Sequence, residues 1–359
     1  MRKGLFLSIV ALAALSSCSQ EDNINNINEE LVPIEIGTSN EIVAEQVLSR
    51  APLDKWSNTT VGLFALGKNS ENWIVDEKVD EPSVLWNNVT GTITGEANTS
   101  ISVDIDDNAL KYYPKKSTIQ YSFYGYYPTV KDLPGLTTAV NNNNVVANYT
   151  IDGSQDIIWG KAVAEDVADV PGYSAEYFRQ EGAEIPEIEF NHKLTQLVFQ
   201  FKREIGFEPG QTIKVDRIEV YNTPNKLTLT IAERGKDASF IGNLTPVEGS
   251  ENTLSVNIAA ESDNSITASD NAKIVGEPIM LYSGTNTLKF DGGIVLVDGN
   301  GSQMTKDPIP FTVTLGGETA FEQGASYKVE FTIADLKPIY VNAKLIPWKD
   351  KGKIDGGTI

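Results

Sequence analysis

The sequence predicts an all-β protein built from antiparallel β-sandwiches, and three observations carry that reading. Apolar and polar residues alternate strictly in several stretches, as they do when successive side chains point to opposite faces of a sheet. Asp-Gly and Asn-Gly clusters punctuate those stretches in the manner of turns. No helical periodicity extends beyond about three turns, and no fixed-period repeat is visible. The chain has 359 residues, with 29 basic and 49 acidic side chains, one Cys and one His, for a net charge of −20. That length suggests two domains of roughly 150 residues or more. The acidity opposes binding to phosphate backbones or anionic lipid heads, so nucleic acid is not the expected partner. A lone Cys and a lone His leave no internal disulfide, no Cys-based zinc site and no paired-His motif, so no metal or cofactor is expected.

Taken in order, the N-terminus is an address. Arg2 and Lys3 precede an apolar run, Leu5 to Leu15, which has the length of a signal-peptide core. It falls short of the roughly 20 residues that span a bilayer. Residues 1–17 are therefore expected to be a leader, and their removal takes the net charge from −20 to −22. The run ends at Leu15-Ser16-Ser17-Cys18, which resembles the bacterial lipobox. That resemblance implies a mature chain that begins at Cys18 and carries diacylglycerol and N-acyl chains, enough for stable anchoring in the outer membrane. Ser19-Gln20-Glu21-Asp22 resembles the acidic signal that sends lipoproteins of Bacteroidetes to the cell surface. Residues 18–30, polar and Asn-rich, form the expected tether.

Residues 31–50 hold the first expected strand. Val32, Ile34 and Ile36 alternate with Pro33 and Glu35, and Ile42, Val43, Val47 and Leu48 add apolar surface ahead of Arg50. A division between residues 51–187 and 188–359 follows the Gly- and charge-rich stretch Arg179 to Glu184. In the first half, Tyr121, Phe123 and Tyr127 fall on one strand face and Tyr124 and Tyr126 on the other. Aromatics on both faces predict a strand covered twice, the alternative being a platform on which sugar rings stack. His192 starts a strand and is expected to be a hydrogen-bonded structural imidazole. No G-x-S-x-G elbow supplies a nucleophile for it. The run Asp104-Ile105-Asp106-Asp107-Asn108 lacks EF-hand spacing and is expected to be a solvated turn. Leu227, Leu229 and Ile231 predict one strand face, and Phe311, Val313 and Leu315 another. The apolar run Ile294 to Val297 is bracketed by the turn signals Asp291-Gly292-Gly293 and Asp298-Gly299-Asn300-Gly301. Tyr327, Val329, Phe331 and Ile333 predict a hairpin with Ile339, Val341, Ala343 and Leu345 across Lys337-Pro338.

Six stretches in this order resemble the fimbrillin family, the type V pilins of Bacteroidetes. They are the lipobox at Cys18, Ser49-Arg50-Ala51, the strand Tyr121 to Pro128, Asp156-Ile157-Ile158-Trp159-Gly160, the segment Phe190 to Lys202, and Ile346-Pro347-Trp348-Lys349-Asp350. The resemblance implies two transthyretin-like β-sandwich domains and export as a lipoprotein. For shaft subunits it implies polymerisation after proteolysis in the loop that follows the first strand, here between Arg50 and Ala51. The expected partners are other fimbrial subunits and a surface receptor. The same logic has a physical form: a strand that leaves its groove exposes an apolar slot and unpaired backbone groups, and a neighbour's strand can fill both. The C-terminal end is the candidate donor, with Ile339, Val341, Ala343, Leu345 and Trp348 at its centre. Two other readings compete: a monomeric lipoprotein that binds glycans through the Tyr-rich strand, and a glycoside hydrolase using a carboxylate pair that sequence spacing does not reveal.

Overall fold

The computed structural model describes residues 32–38, 58–75, 81–94, 100–104, 112–115, 118–163, 172–180, 182–203, 212–236, 242–258, 265–266, 272–284, 287–298, 300, 302–304, 307–316, 321–333 and 343–348. The alternating stretches among them become strands. The first are β1 (Gly37–Thr38), β2 (Thr60–Gly67), β3 (Val84–Thr94) and β4 (Ser100–Asp104). Then come β5 (Tyr121–Tyr127), β6 (Thr137–Val140), β7 (Asn144–Thr150) and β8 (Ile158–Val163). A one-turn helix, α1 (Ala175–Phe178), starts where the Ser174 hydroxyl accepts from the Tyr177 amide. Beyond it lie β9 (Glu187–His192), β10 (Leu194–Arg203), β11 (Thr212–Pro224), β12 (Lys226–Glu233), β13 (Asn243–Pro246) and β14 (Glu251–Ser255). The two-residue strands β15 (Ser265–Ile266) and β16 (Lys273–Ile274) lead to β17 (Ile279–Tyr282), β18 (Thr287–Val297), β19 (Ile309–Gly316), β20 (Ser326–Ile333) and β21 (Ala343–Trp348).

Seven strands curl into a closed barrel in the order β1-β4-β3-β2-β5-β8-β9. A second sheet runs β13-β12-β7-β6, a third β16-β10-β20-β21 with β17 also on β10, and a fourth β14-β11-β18-β19 with β15 also on β11. The fold is all-β, as predicted. Most pairs are antiparallel, but β10 pairs with β20 in parallel from Gln196–Ser326 to Arg203–Ile333. The long chain between them supplies the crossover that parallel pairing requires. The expected division at 187/188 falls at the head of β9, which completes the barrel, and β12, from beyond it, pairs with β7.

Three cores result. Inside the barrel, Leu63, Trp86, Tyr121, Phe123, Ile188 and Phe190 pack together. Outside it, Phe64, Tyr124 and Tyr126 meet Val145, Tyr149, Leu227, Leu229 and Ile231 of the second sheet. The third and fourth sheets enclose Phe199, Phe201, Val220, Phe290, Val329 and Phe331, where Phe331 stacks on Phe201 at 4.7 Å between ring centres. β5 is thus covered on both faces, with Tyr121 and Phe123 in one core and Tyr124 and Tyr126 in another. One turn expectation is corrected. Asp291-Gly292-Gly293 lies inside β18, where Gly292 and Gly293 pair with Ile218 and Arg217 on one side and Phe311 and Pro310 on the other. The register of β11 shifts between Val215 and Arg217 at this point, so Gly293 serves a bulge and a close approach of Asp216 and Pro308, not a chain reversal.

Candidate functional site

The barrel is closed by its shortest strand. β1 lies between β4 and β9, with Gly37 antiparallel to Ser100 and Gly37 and Thr38 parallel to Glu187 and Ile188. The extended residues before it add backbone contacts along the same line. The Ile101 amide donates to the Ile36 carbonyl at 3.1 Å, the Tyr113 amide donates to the Val32 carbonyl at 3.1 Å, and Pro33 bridges Tyr112. The alternation predicted here holds: Ile34 and Ile36 are 9% and 5% exposed and belong to the barrel core, while Pro33 and Glu35 face outward. Fully burying an Ile contributes about 1.5–3 kcal/mol. Residues 32–38 are therefore a plug with two apolar pegs and two backbone ladders. Withdrawn, they would leave β4 and β9 as unpaired edges beside an open slot.

The wall formed by β9 is pinned at its far end. His192 Nδ1 lies 2.7 Å from Asp156 Oδ2. Burial works against charge on that imidazole, but the Asp156 carboxylate and its hydrogen bond outweigh burial and hold the pKa above the ordinary 6.5. The next residue, Lys193, places its ammonium 4.8 Å from the centre of the Trp159 ring, and burial pushes its pKa down to about 8. The Lys193 amide donates to the Ile157 carbonyl at 2.7 Å, and Gln323 Nε2 donates to the Lys193 carbonyl at 3.1 Å. Barrel and third sheet are therefore joined at one polar corner. His192 makes a hydrogen bond of the kind expected, with Asp156 as its partner.

Several singled-out residues fall elsewhere. Cys18, Arg50, Ala51, Ile339 and Val341 lie outside the described residues. Ala343, Leu345 and Trp348 belong to β21, which pairs antiparallel with β20, Ser326 opposite Trp348 and Phe331 opposite Ala343. Tyr124 and Tyr126 are 1% and 0% exposed, so neither of these two rings offers a face to a sugar, and a platform built on them is overturned. Among the described residues no group of three or more His, Cys, Asp or Glu is placed to hold a metal ion, and no helix is long and apolar enough to cross a membrane. The seam partners Ser100, Ile101, Tyr113, Glu187 and Ile188 were missed by sequence reasoning. Ile188 and Phe190, alternating with Glu187 and Glu189, do carry a strand's alternation, but nothing local pairs them with residue 37.

Fold and seam together define a class: an all-β protein whose closed barrel is completed by a short strand, β1, that precedes its other strands. The chain belongs to the fimbrillin-like family, whose sequence profile matches residues 49–348. Among solved structures, a fimbrial protein from Bacteroides vulgatus is similar at 16% identity and a TM-score of 0.57, over 88% of this chain and 99% of that one. A candidate cell adhesion protein from Bacteroides uniformis is similar at 14% identity and a TM-score of 0.51, over 90% of this chain and all of that one. At such identities the likeness is one of fold. No curated protein matches in sequence.

Proposed function

We propose that this protein is a structural subunit of a cell-surface fimbria, exported as a lipoprotein through Cys18 and serving adhesion rather than catalysis. In this reading, cleavage between Arg50 and Ala51 releases the plug, and a neighbouring subunit's strand takes its place. Family membership supports the fimbrial role. The observation that carries the exchange step is the position of residues 32–38 at the seam, with Ile34 and Ile36 in the core and backbone bonds to either side. Between that plug and the cut lie residues 39–50, so one peptide bond frees the whole segment. The proposed donor is the C-terminal end, from Ile339 and Val341 through Ala343, Leu345 and Trp348 into residues 349–359. β21 ends its sheet and pairs only with β20 among the described residues, so its departure breaks a single ladder. A donor from one copy filling the barrel of the next is a head-to-tail contact, which grows open filaments rather than closed rings. Ladder bonds then supply affinity, and side chains in alternate pockets fix the register.

The test is digestion of the full chain with a trypsin-like protease. A new N-terminus at Ala51 and a ladder of high-mass oligomers are expected, and cells carrying Arg50→Ala should lack filaments. Quantitative cleavage that leaves a monomer would sink the exchange mechanism.

A further inference from the structure

A groove of about 640 Å³ opens between the second sheet and the fourth. It is distant in the sequence from the seam and takes no part in the exchange proposed above. Its walls come from the turn after β7, the β11–β12 corner, β14 with the residues after it, and the approach to β17. Three features describe it: internally braced walls, neutral hydrogen-bonding side chains beside two carboxylates, and no Lys, Arg or His among the described lining residues.

The walls are braced by hydrogen bonds among the lining residues themselves and to β17. In the first turn, Asp152 Oδ1 accepts from the Ser154 amide at 2.9 Å and its hydroxyl at 2.7 Å, and the Asp152 amide donates to Gln155 Oε1 at 2.7 Å. The Met280 amide donates to the Gly153 carbonyl at 2.7 Å, docking that turn on β17. Gly153 has φ +97° and a Cβ there would strike Ile279, so only glycine suits the docking. Across the groove, Asn257 Nδ2 donates to Glu277 Oε2 and the Glu277 amide donates to the Asn257 carbonyl, both at 2.9 Å. Between them the Ile151 amide donates to the Asn225 carbonyl at 2.8 Å. Binding into such walls orders little further chain.

The lining is rich in carboxamides and hydroxyls, with Asn225, Asn252, Asn257, Ser255 and Thr253 prominent. These groups both donate and accept, which suits ligand hydroxyls that do the same. Asp152 and Glu277 add acceptors. Burial opposes ionisation of Asp152, but hydrogen bonds from Ser154 and Gln155 outweigh it and lower the pKa, so the carboxylate persists as an acceptor. No Lys, Arg or His lines the groove among the described residues, so an anionic ligand would approach the Asp152 and Glu277 carboxylates without a cation in that lining. Pro134, exposed at the groove, offers a small apolar face to ring C–H groups. We infer that this groove binds neutral carbohydrate. No aromatic ring lines it, so each site is weak, and many subunits in one filament would multiply weak contacts into avidity.

The experiment is a ligand-observed NMR and calorimetric titration of the unassembled full chain, which makes it independent of strand exchange. The probes are neutral trisaccharides of glucose, galactose and mannose, with trigalacturonic acid and calcium chloride as charged comparisons. At least one neutral trisaccharide should saturate with a Kd on the order of millimolar or tighter. Asn252→Ala removes an exposed carboxamide and Ser255→Leu fills the wall at an exposed position, and each should weaken binding about tenfold or more with the thermal midpoint retained. The inference is overturned by failure of all neutral probes, by equal binding of trigalacturonic acid, by binding of calcium alone, or by affinity unchanged in both folded variants.

Discussion

Phe190 lies across two glycines. A Cβ on Gly125 would stand 2.7 Å from its ring, and one on Gly160 would stand 2.8 Å from it and 2.7 Å from the Glu189 carbonyl. This accounts for glycine in both Tyr124-Gly125-Tyr126 and Trp159-Gly160 inside otherwise bulky strands, where a glycine marks close approach. Gly160→Ala should therefore cost about 1–3 kcal/mol by overpacking, read as a lower urea midpoint. Nearby, two charges at the polar corner impose opposite pH dependences. Folded His192 keeps its proton to higher pH than the ordinary 6.5, so the pair's contribution is complete below that value and is lost as pH rises through the folded pKa. Lys193 titrates at about 8 when folded and 10.5 when unfolded, so the unfolded chain binds more protons between those values and stability rises with pH there. Urea midpoints measured from pH 6 to pH 10 should show both limbs. Asp156→Asn should flatten the falling limb, and Lys193→Met the rising one; a falling limb that survives Asp156→Asn assigns it to another group.

At the scale of elements, β1 closes the barrel with only two residues, so its hold depends on the pegs that precede it. Ile36→Ala should cost about 2–5 kcal/mol and raise amide exchange selectively in β4 and β9, while Glu35→Ala on the outward face should change neither. Equal exchange across all strands in Ile36→Ala would mean that the seam is not a separate weak point. The alternation of Ile34 and Ile36 was legible in the sequence because period two reports a half-buried strand directly. So was the double covering of β5, since aromatics at odd and even positions need two cores. Partnership was not legible. Residue 37 meets residues 100 and 187, and β7 meets β12, through contacts that no local pattern encodes. Gly292-Gly293 misled for a related reason: a bulge opposite a glycine pair uses the same residue type as a turn, and only the cross-strand partner tells them apart.

For the whole molecule, the proposed assembly is a competition between two strands for one slot, and mass action makes that competition measurable. A synthetic peptide spanning residues 31–50, added in excess to chain cut after Arg50, should refill the vacated seam and slow oligomer growth in proportion to its concentration. The same peptide carrying Ile34→Asp and Ile36→Asp should have no effect, because each carboxylate would enter an apolar core without a partner. Light scattering after cleavage reads both arms. If the two peptides inhibit equally, charge or viscosity rather than slot occupancy is responsible. If neither inhibits while oligomers still grow, the growing end does not use the seam, and the junction between subunits must be sought on another edge, such as β19 or β6, each of which ends its sheet.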